Sequence, residues 1–424
     1  MKFGGTSVAD AESLKDAAGR IVRAAAQGDR VVAVLSARGK TTDELTAMAH
    51  AVSARPHPRE LDMLLSTGER ISCALTAMVI NDLGHEAISF TGSQAGIVTD
   101  TSHTKARILD VRADRIRTAL DAGKIVLVAG FQGVSTAADV TTLGRGGSDT
   151  TAVALAVALG ADVCEIYTDV AGVYTADPRI VPGARKLPEV SFEEMLEMAA
   201  SGAGVLQLRA VEYARNHGIP IHCRSSFEER PGTFVVHEQD TMERPLVTAV
   251  THSTDEARIT LTGLPDRPGI AGRVLTALAA ANVNVDMIIQ NEPHSEGRRA
   301  DMSVTVPRSD LRAAVGALSP LKEDLGVGEL ATDEGMGKVS VVGAGMKSHP
   351  GVAAKALSVL GEAEVNIEMI STSPIKISCV IREEDVQRSV AGLHAAFELG
   401  PGAIRREDVR GDHRPVIRPD DEAA

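Results

Sequence analysis

Tryptophan is absent from this 424-residue chain, and aromatic residues make up only 2% of it. Its cores must therefore be built from Ala, Val, Leu and Ile, and few rings are available for stacking nucleic-acid bases. Positive charge is also in deficit: 44 Lys and Arg stand against 57 Asp and Glu, a formal net charge of −13. A nucleic-acid surface needs the opposite balance, so no nucleic-acid partner is expected, although a few converging cations suffice for a nucleotide. Cysteine is scarce. Cys73, Cys164, Cys223 and Cys379 form no C-x-x-C pair, which reads as buried free thiols rather than a disulfide or zinc site. Apolar runs such as 125–129 are strand-sized, so no membrane span is expected. No charged-then-apolar segment opens the sequence, so a cytoplasmic protein is expected. The 44% hydrophobic and 24% charged content is that of a globular chain, and the length implies two to four domains.

What the sequence does have is glycine at chemically suggestive places. In Thr142-Leu143-Gly144-Arg145-Gly146-Gly147-Ser148-Asp149-Thr150-Thr151, three glycines allow sharp turns or close approach of a ligand. Ser148 and Asp149 are good N-cap residues for a small-residue helix that Gly160 would stop. Such a turn aims backbone N–H groups and a helix dipole at one spot, which suits phosphate. Arg145 adds a donor fork for a carboxylate or phosphate. By itself the loop is equally compatible with a structural turn.

A second site of this kind lies at Lys2-Phe3-Gly4-Gly5-Thr6-Ser7, where Thr6 or Ser7 would cap a helix running to about Ala26. A strand should precede such a turn, yet only Met1 stands before Lys2, so either the strand is nearly absent or the true start lies upstream. Arg30 to Ser36, Lys124 to Ala129 and Val163 to Thr168 read as buried parallel strands. Gly39-Lys40-Thr41 ends like a Walker A loop, but Val34 occupies the place of its leading glycine, so a P-loop is rejected. Leu61 to Ile80 reads as a helix carrying Thr67-Gly68-Glu69-Arg70; a glycine there has either a packing or a ligand reason, and a solvated Glu-Arg pair is the plain alternative. Strands alternating with helices indicate a parallel sheet covered on both faces. Ligands gather at the carboxyl ends of its strands, which brings Lys2, Thr41, Arg145, Asp149 and Asp169 together.

After polar sequence around 231–245 comes an internal repeat. Arg258 to Gly263, Pro268-Gly269 and Asn284 to Ile288 recur as Lys338 to Gly343, Pro350-Gly351 and Asn366 to Ile370. The Pro-Gly pairs are 82 positions apart (350 minus 268), as expected of paired small α+β modules. The charged end from about Pro401 is expected to fray.

Five stretches in order resemble the aspartokinase (aspartate kinase) family: 2–10, 66–72, 90–96, 142–149 and 167–179. The spacing is similar to the actinobacterial type. The resemblance implies a three-layer αβα amino-acid-kinase domain with a mostly parallel sheet (1–235) and a linker (236–254). Two ferredoxin-like ACT regulatory domains (255–332 and 333–402) and a flexible tail (403–424) would follow. It implies ATP-dependent phosphorylation of the L-aspartate side-chain carboxylate, the first step toward lysine, threonine and methionine. Lys2 and Asp149 would be catalytic. Thr41, Glu69, Arg145 and Ser148 would hold aspartate, with Arg145 on the α-carboxylate and Glu69 on the α-ammonium. Lys2, Phe3, Gly4, Gly5, Thr168, Asp169, Tyr174 and Arg179 would contact ATP, with Mg²⁺ on its phosphates and no protein metal site. Asp266, Gly269, Ile270, Ala271, Asn284 and Gln290 would form a threonine site, and Met346 and Ser373 a lysine site.

By the same resemblance the chain would be a dimer or tetramer through its ACT domains, and Met242 is a candidate internal start for a separate regulatory chain. Three departures stand out. Gly204 replaces the family's usual lysine, Pro374 replaces a usual glutamate, and the N-terminus is short. A kinase drifted to another small carboxylate or amino acid and a weakened sensor or regulatory subunit are the competing readings, and the Pro-Gly pairs are also compatible with simple helix starts.

Overall fold

The structure, a computed structural model, describes residues 1–237, 246–291, 299–349 and 351–401. The expected segments 403–424, Met242 and Pro350 lie outside the described residues. Among these residues the first half is built on an eight-stranded sheet. Its order is Glu189–Ser191, Thr233–Val236, Ile221–Ser225, Cys164–Thr168, Lys2–Phe3, Val32–Leu35, Ile125–Ala129 and Ala87–Phe90. Every neighbouring pair is parallel except Ile221–Ser225 with Thr233–Val236.

Ile125–Ala129 explains why its letters are uniformly apolar. Ile125, Leu127 and Ala129 enter one core with helices Ala11–Ala26 and Thr67–Asp82. Val126 and Val128 enter another with helix Gly147–Leu159. Successive side chains alternate between faces and both faces are covered, which yields the expected three layers. All four cysteines are free and buried. The short opening strand exists as Lys2–Phe3, held at its start by the Met1 ammonium on the Val32 carbonyl at 2.8 Å.

Two helices, Pro58–Leu65 and Thr67–Asp82, replace the single helix expected over 61–80. Together Pro58–Asp82 is long and apolar enough to pass for a membrane span, yet half of its apolar window is buried in the protein, and Asp62 and Glu69 point inward. Gly68 has the packing reason that its place in a helix demanded: a Cβ there would stand 2.7 Å from that of Ala37. A smaller four-stranded sheet, in the order Ile108–Val111, Ile97–Thr99, Gln132–Ser135, Val140–Thr142, delivers the Arg145 loop.

The second half of the chain forms one six-stranded sheet: Ile288–Gln290, Arg299–Val306, Ala249–Pro265, Glu329–Val342, Lys376–Arg382, Met369–Ser373. Of the segment 236–254 expected as a linker, residues from Ala249 onward are already strand. Ala249 to Ser253 pair with Val342 to Lys338, and Val250 lies in the second module's core, whereas Ile259 and Leu261 lie in the first's. The first module is therefore inserted within the second rather than strung before it. The repeat signal missed this because the strand that opens the second module lies upstream of the whole first copy.

The second module docks on the first half of the chain. Glu194 Oε1 accepts the Thr248 hydroxyl at 2.6 Å and the Ala344 amide at 3.0 Å. Lys376 pairs with Glu197 at 2.9 Å, and the Thr175 hydroxyl meets His394 Nε2 at 2.9 Å. Ala176, Ile180, Val181 and Ala184, interleaved with and just past the candidate nucleotide residues Tyr174 and Arg179, pack in that module's core.

Candidate active site

The site lies where the strands Lys2–Phe3, Val32–Leu35, Ile125–Ala129 and Cys164–Thr168 end side by side. Lys2 Nζ stands 2.6 Å from Asp149 Oδ1, both side chains about one-tenth exposed. That oxygen has no other partner aligned to donate to it. A Cβ on Gly5 would come within 2.9 Å of the Ala37 carbonyl, so backbone crowding requires glycine there, whereas one on Gly4 would make only an ordinary contact with the Lys2 ammonium at 3.6 Å. Gly4 is the cap of a short 3₁₀ turn, Gly5–Val8, without side-chain help. The expected Thr6 or Ser7 cap is thus absent; Ser7 instead meets Ser226 at 2.5 Å, and Asp10 caps the following helix.

The second glycine turn also differs from expectation in one detail. Gly146, at φ +71°, caps the helix Gly147–Leu159, so Ser148 and Asp149 lie in its first turn instead of at the cap. This frees the Asp149 carboxylate for Lys2 while leaving it in the favourable field of the helix N-terminus. Ser148 packs under Gly130, where a Cβ would stand 2.7 Å from its hydroxyl. Phe131 next to it holds φ +68°, a conformation that non-glycine residues adopt only where surroundings enforce it. Arg145 is exposed.

Glu69 is buried, with Oε1 accepting the Ala37 amide at 3.1 Å and Oε2 without a partner. Burial pushes its carboxyl up to about 7, opposed only by its own amide and that of Ala37. The Ala37–Gly39 loop connects it to the first turn, since the Gly39 amide donates to the Gly5 carbonyl at 2.9 Å. Thr41 opens helix Thr41–Val52 and lines a cavity of about 270 Å³ with Arg38, Gly39, Lys40 and Gly68.

On the other side, Gly4 donates to the Tyr167 carbonyl at 3.2 Å and Phe3 stacks on Tyr167 at 4.7 Å, which sets Thr168 and Asp169 beside the first turn. Tyr174 bridges to Lys186, and exposed Arg179 forks onto Asp177 at 2.7–3.1 Å. Neither makes a hydrogen bond or ion pair with Lys2 or Asp149 among the described residues. At Gly204 a Cβ would meet open space, so the missing lysine is not replaced by packing.

Sequence reasoning missed a cluster behind Arg145. Asp62, Thr142, His103 and the Thr104 amide meet there, tied by hydrogen bonds of 2.6–3.1 Å. Nothing in the local letters signals it, because the partners lie 41 to 80 positions apart.

This arrangement can hold two anions and a cation together. Residues 1–225 match the amino acid kinase family, and 258–323 and 339–397 each match an ACT domain. The aspartokinase of Mycobacterium tuberculosis is 56% identical over 403 residues, 94% of this chain and 96% of that protein. Escherichia coli aspartokinase III in complex with aspartate and ADP, an R-state structure, is similar at a TM-score of 0.79 and 27% identity, covering 93% of this chain and 98% of that one. The same enzyme in complex with lysine and aspartate, a T-state structure, matches at 0.70 over the same shares.

Proposed function

The chain belongs to the aspartokinases, amino acid kinases followed by ACT domains, and from that premise we propose how its own residues act. The enzyme transfers the γ-phosphoryl group of ATP to the side-chain carboxylate of L-aspartate, at the head of amino-acid biosynthesis. A carboxylate oxygen forms the new O–P bond as the bond to ADP breaks, so no general base is required. The protein must instead hold two anions together and neutralise the transferring group.

Lys2 meets the γ-phosphoryl group, aided by amides of the Gly4-Gly5 and Gly146-Gly147 turns, and Asp149 orients it. Arg145 takes the α-carboxylate, Glu69 the α-ammonium, and Thr41 and Ser148 line the aspartate. The nucleotide lies along Phe3, Thr168, Asp169, Tyr174 and Arg179. Mg²⁺ would arrive with ATP, carried mostly on phosphate oxygens, and would neutralise their charge. The observation that carries this reading is the Lys2–Asp149 pair at the mouth of the two glycine turns.

Threonine is the proposed effector at Asp266, Gly269, Ile270, Ala271, Asn284 and Gln290, and lysine at Met346 and Ser373. In support, Gly269 and Gly351 cap their helices at φ +93° and +107°, and Ser373 reaches Glu197 of the catalytic half at 3.4 Å. Lysine is also bound in the E. coli T-state structure. Exposed Ile288 and Ile370 on the two edge strands fit a homo-oligomer paired through this sheet.

A coupled assay of ADP release with ATP and aspartate, with and without threonine and lysine, tests activity and regulation together. Lys2→Ala is expected to lower kcat about 10²–10³-fold. Full activity in that variant overturns the assignment.

A further inference from the structure

The hairpin that delivers Arg145 and the helices that deliver Glu69 are joined through one buried carboxylate. Asp62, in helix Pro58–Leu65, is 0% exposed. Its Oδ1 accepts the Thr142 hydroxyl at 2.6 Å and the Thr104 amide at 3.1 Å; Oδ2 shares that amide at 3.1 Å and lies 2.7 Å from His103 Nδ1. Thr142 ends the strand Val140–Thr142, three residues before Arg145. Thr104 is held at φ +68°, and its carbonyl would stand 3.1 Å from a Cβ on Gly144. Arg209 clamps the same loop from the other side, donating to the Leu143 carbonyl at 2.9 Å and the Ala106 carbonyl at 3.1 Å.

From Asp62 the chain passes through Ser66 into helix Thr67–Asp82, whose first turn carries Glu69. Gln132, in the strand that pairs with Val140–Thr142, grips this junction by donating from Nε2 to the Ser66 carbonyl at 2.8 Å.

We propose that Asp62 is a positioning residue for the amino-acid substrate, setting the distance between Arg145 and Glu69 through its bonds to Thr142 and Thr104. This rests on the roles proposed above for those two residues. An α-amino acid presents its carboxylate and ammonium on one carbon, so its receivers must keep a fixed separation, and a shift of about 1 Å is enough to cost binding and rate. Asp62→Asn keeps the shape but removes the charge and turns one acceptor atom into a donor, so the amide of Thr104 loses its shared second acceptor and His103 keeps its bond only by presenting a bare ring nitrogen. The nucleotide-side turn at Gly4-Gly5 has no bond to Asp62.

The test is steady-state kinetics of the full chain, with aspartate and MgATP varied separately and thermal melting recorded. Asp62→Asn is expected to raise KM for aspartate about tenfold or more and to leave KM for ATP within about twofold. Thr142→Val should raise KM for aspartate severalfold, and Thr142→Ser, which keeps the hydroxyl, should restore it. A folded Asp62→Asn in which neither KM moves, or both rise in parallel, overturns the proposal. If Asp62→Asn does not melt cooperatively, the Thr142 pair decides: equal KM in Val and Ser variants overturns it. Arg145→Ala separates the two levels. A raised KM for aspartate there with none in folded Asp62→Asn removes the positioning role alone, while an unchanged KM in Arg145→Ala removes the assignment of Arg145 and the positioning role with it.

Discussion

Glu69 in the catalytic half and Lys338 in the regulatory half are each only 3% exposed, yet the chain satisfies them to opposite degrees. Lys338 has Glu256 at 2.7 Å and Asp286 at 2.5 Å. Burial pulls its ammonium down, but the two carboxylates together outweigh this and leave its pKa raised. Glu69 has one backbone amide and an oxygen with no partner, and burial leaves its carboxyl near 7. A buried charge neutralised by its own chain is architecture; one left half-satisfied marks where an outside charge belongs.

The largest effect is expected from breaking the satisfied charge. Lys338→Ala strands Glu256 in the interior and should cost about 3–5 kcal/mol, read from denaturant unfolding of the full chain followed by circular dichroism. A loss under about 1 kcal/mol would place Lys338 with ordinary surface pairs.

The unsatisfied charge should behave in the reverse sense. Because the folded pKa of Glu69 is raised, its penalty on the native state is absent below the usual glutamate range and complete above about 7. Glu69→Gln should therefore stabilise the unliganded protein by about 3 kcal/mol above pH 7, while weakening aspartate binding. In the unaltered protein kcat/KM for aspartate should rise with pH through about 7 as Glu69 ionises, and Glu69→Gln should lack that limb. A melting temperature lowered by Glu69→Gln at pH 8 would contradict the comparison.

The smallest effect belongs to Arg258→Ala. Arg258 mirrors Lys338 across the repeat, reaching Glu368 at 2.8 Å where Lys338 reaches Asp286, but it is about a quarter exposed. Arg258 also lies 3.6 Å from Asp333, and Arg382 covers both acids, Asp333 at 2.8 Å and Glu368 at 3.5 Å, so about 1 kcal/mol or less is expected. Equal costs for Arg258→Ala and Lys338→Ala would erase the distinction between the two copies.

What could be read from the letters follows physical locality. The strand 125–129 and both glycine turns carry their cause in adjacent residues, so they were legible, and with them the meeting of Lys2 with Asp149. The cap of the helix at Gly147 was misplaced because Ser148 and Asp149 have the right chemistry for a cap, while the left-handed turn at Gly146 has the right geometry. Asp62 is a single polar letter inside a stretch that reads as helix. Its burial is decided by Thr142 and His103, far along the chain, and no periodicity reports that. The threading of the two modules was hidden for the same reason: a strand's letters give its faces but not its neighbours.

That threading bears on how the protein is made. The strand Ala249 to Ser253 leaves the ribosome before the first module but finds its neighbour only when Lys338 to Val342 has emerged. The inner module can close during this interval from contacts it already holds, whereas the outer one must wait for a long-range pairing. The order of synthesis thus makes the inner module the template around which the outer one shuts. A chain halted between the two events would carry an orphan strand open to association with another nascent copy.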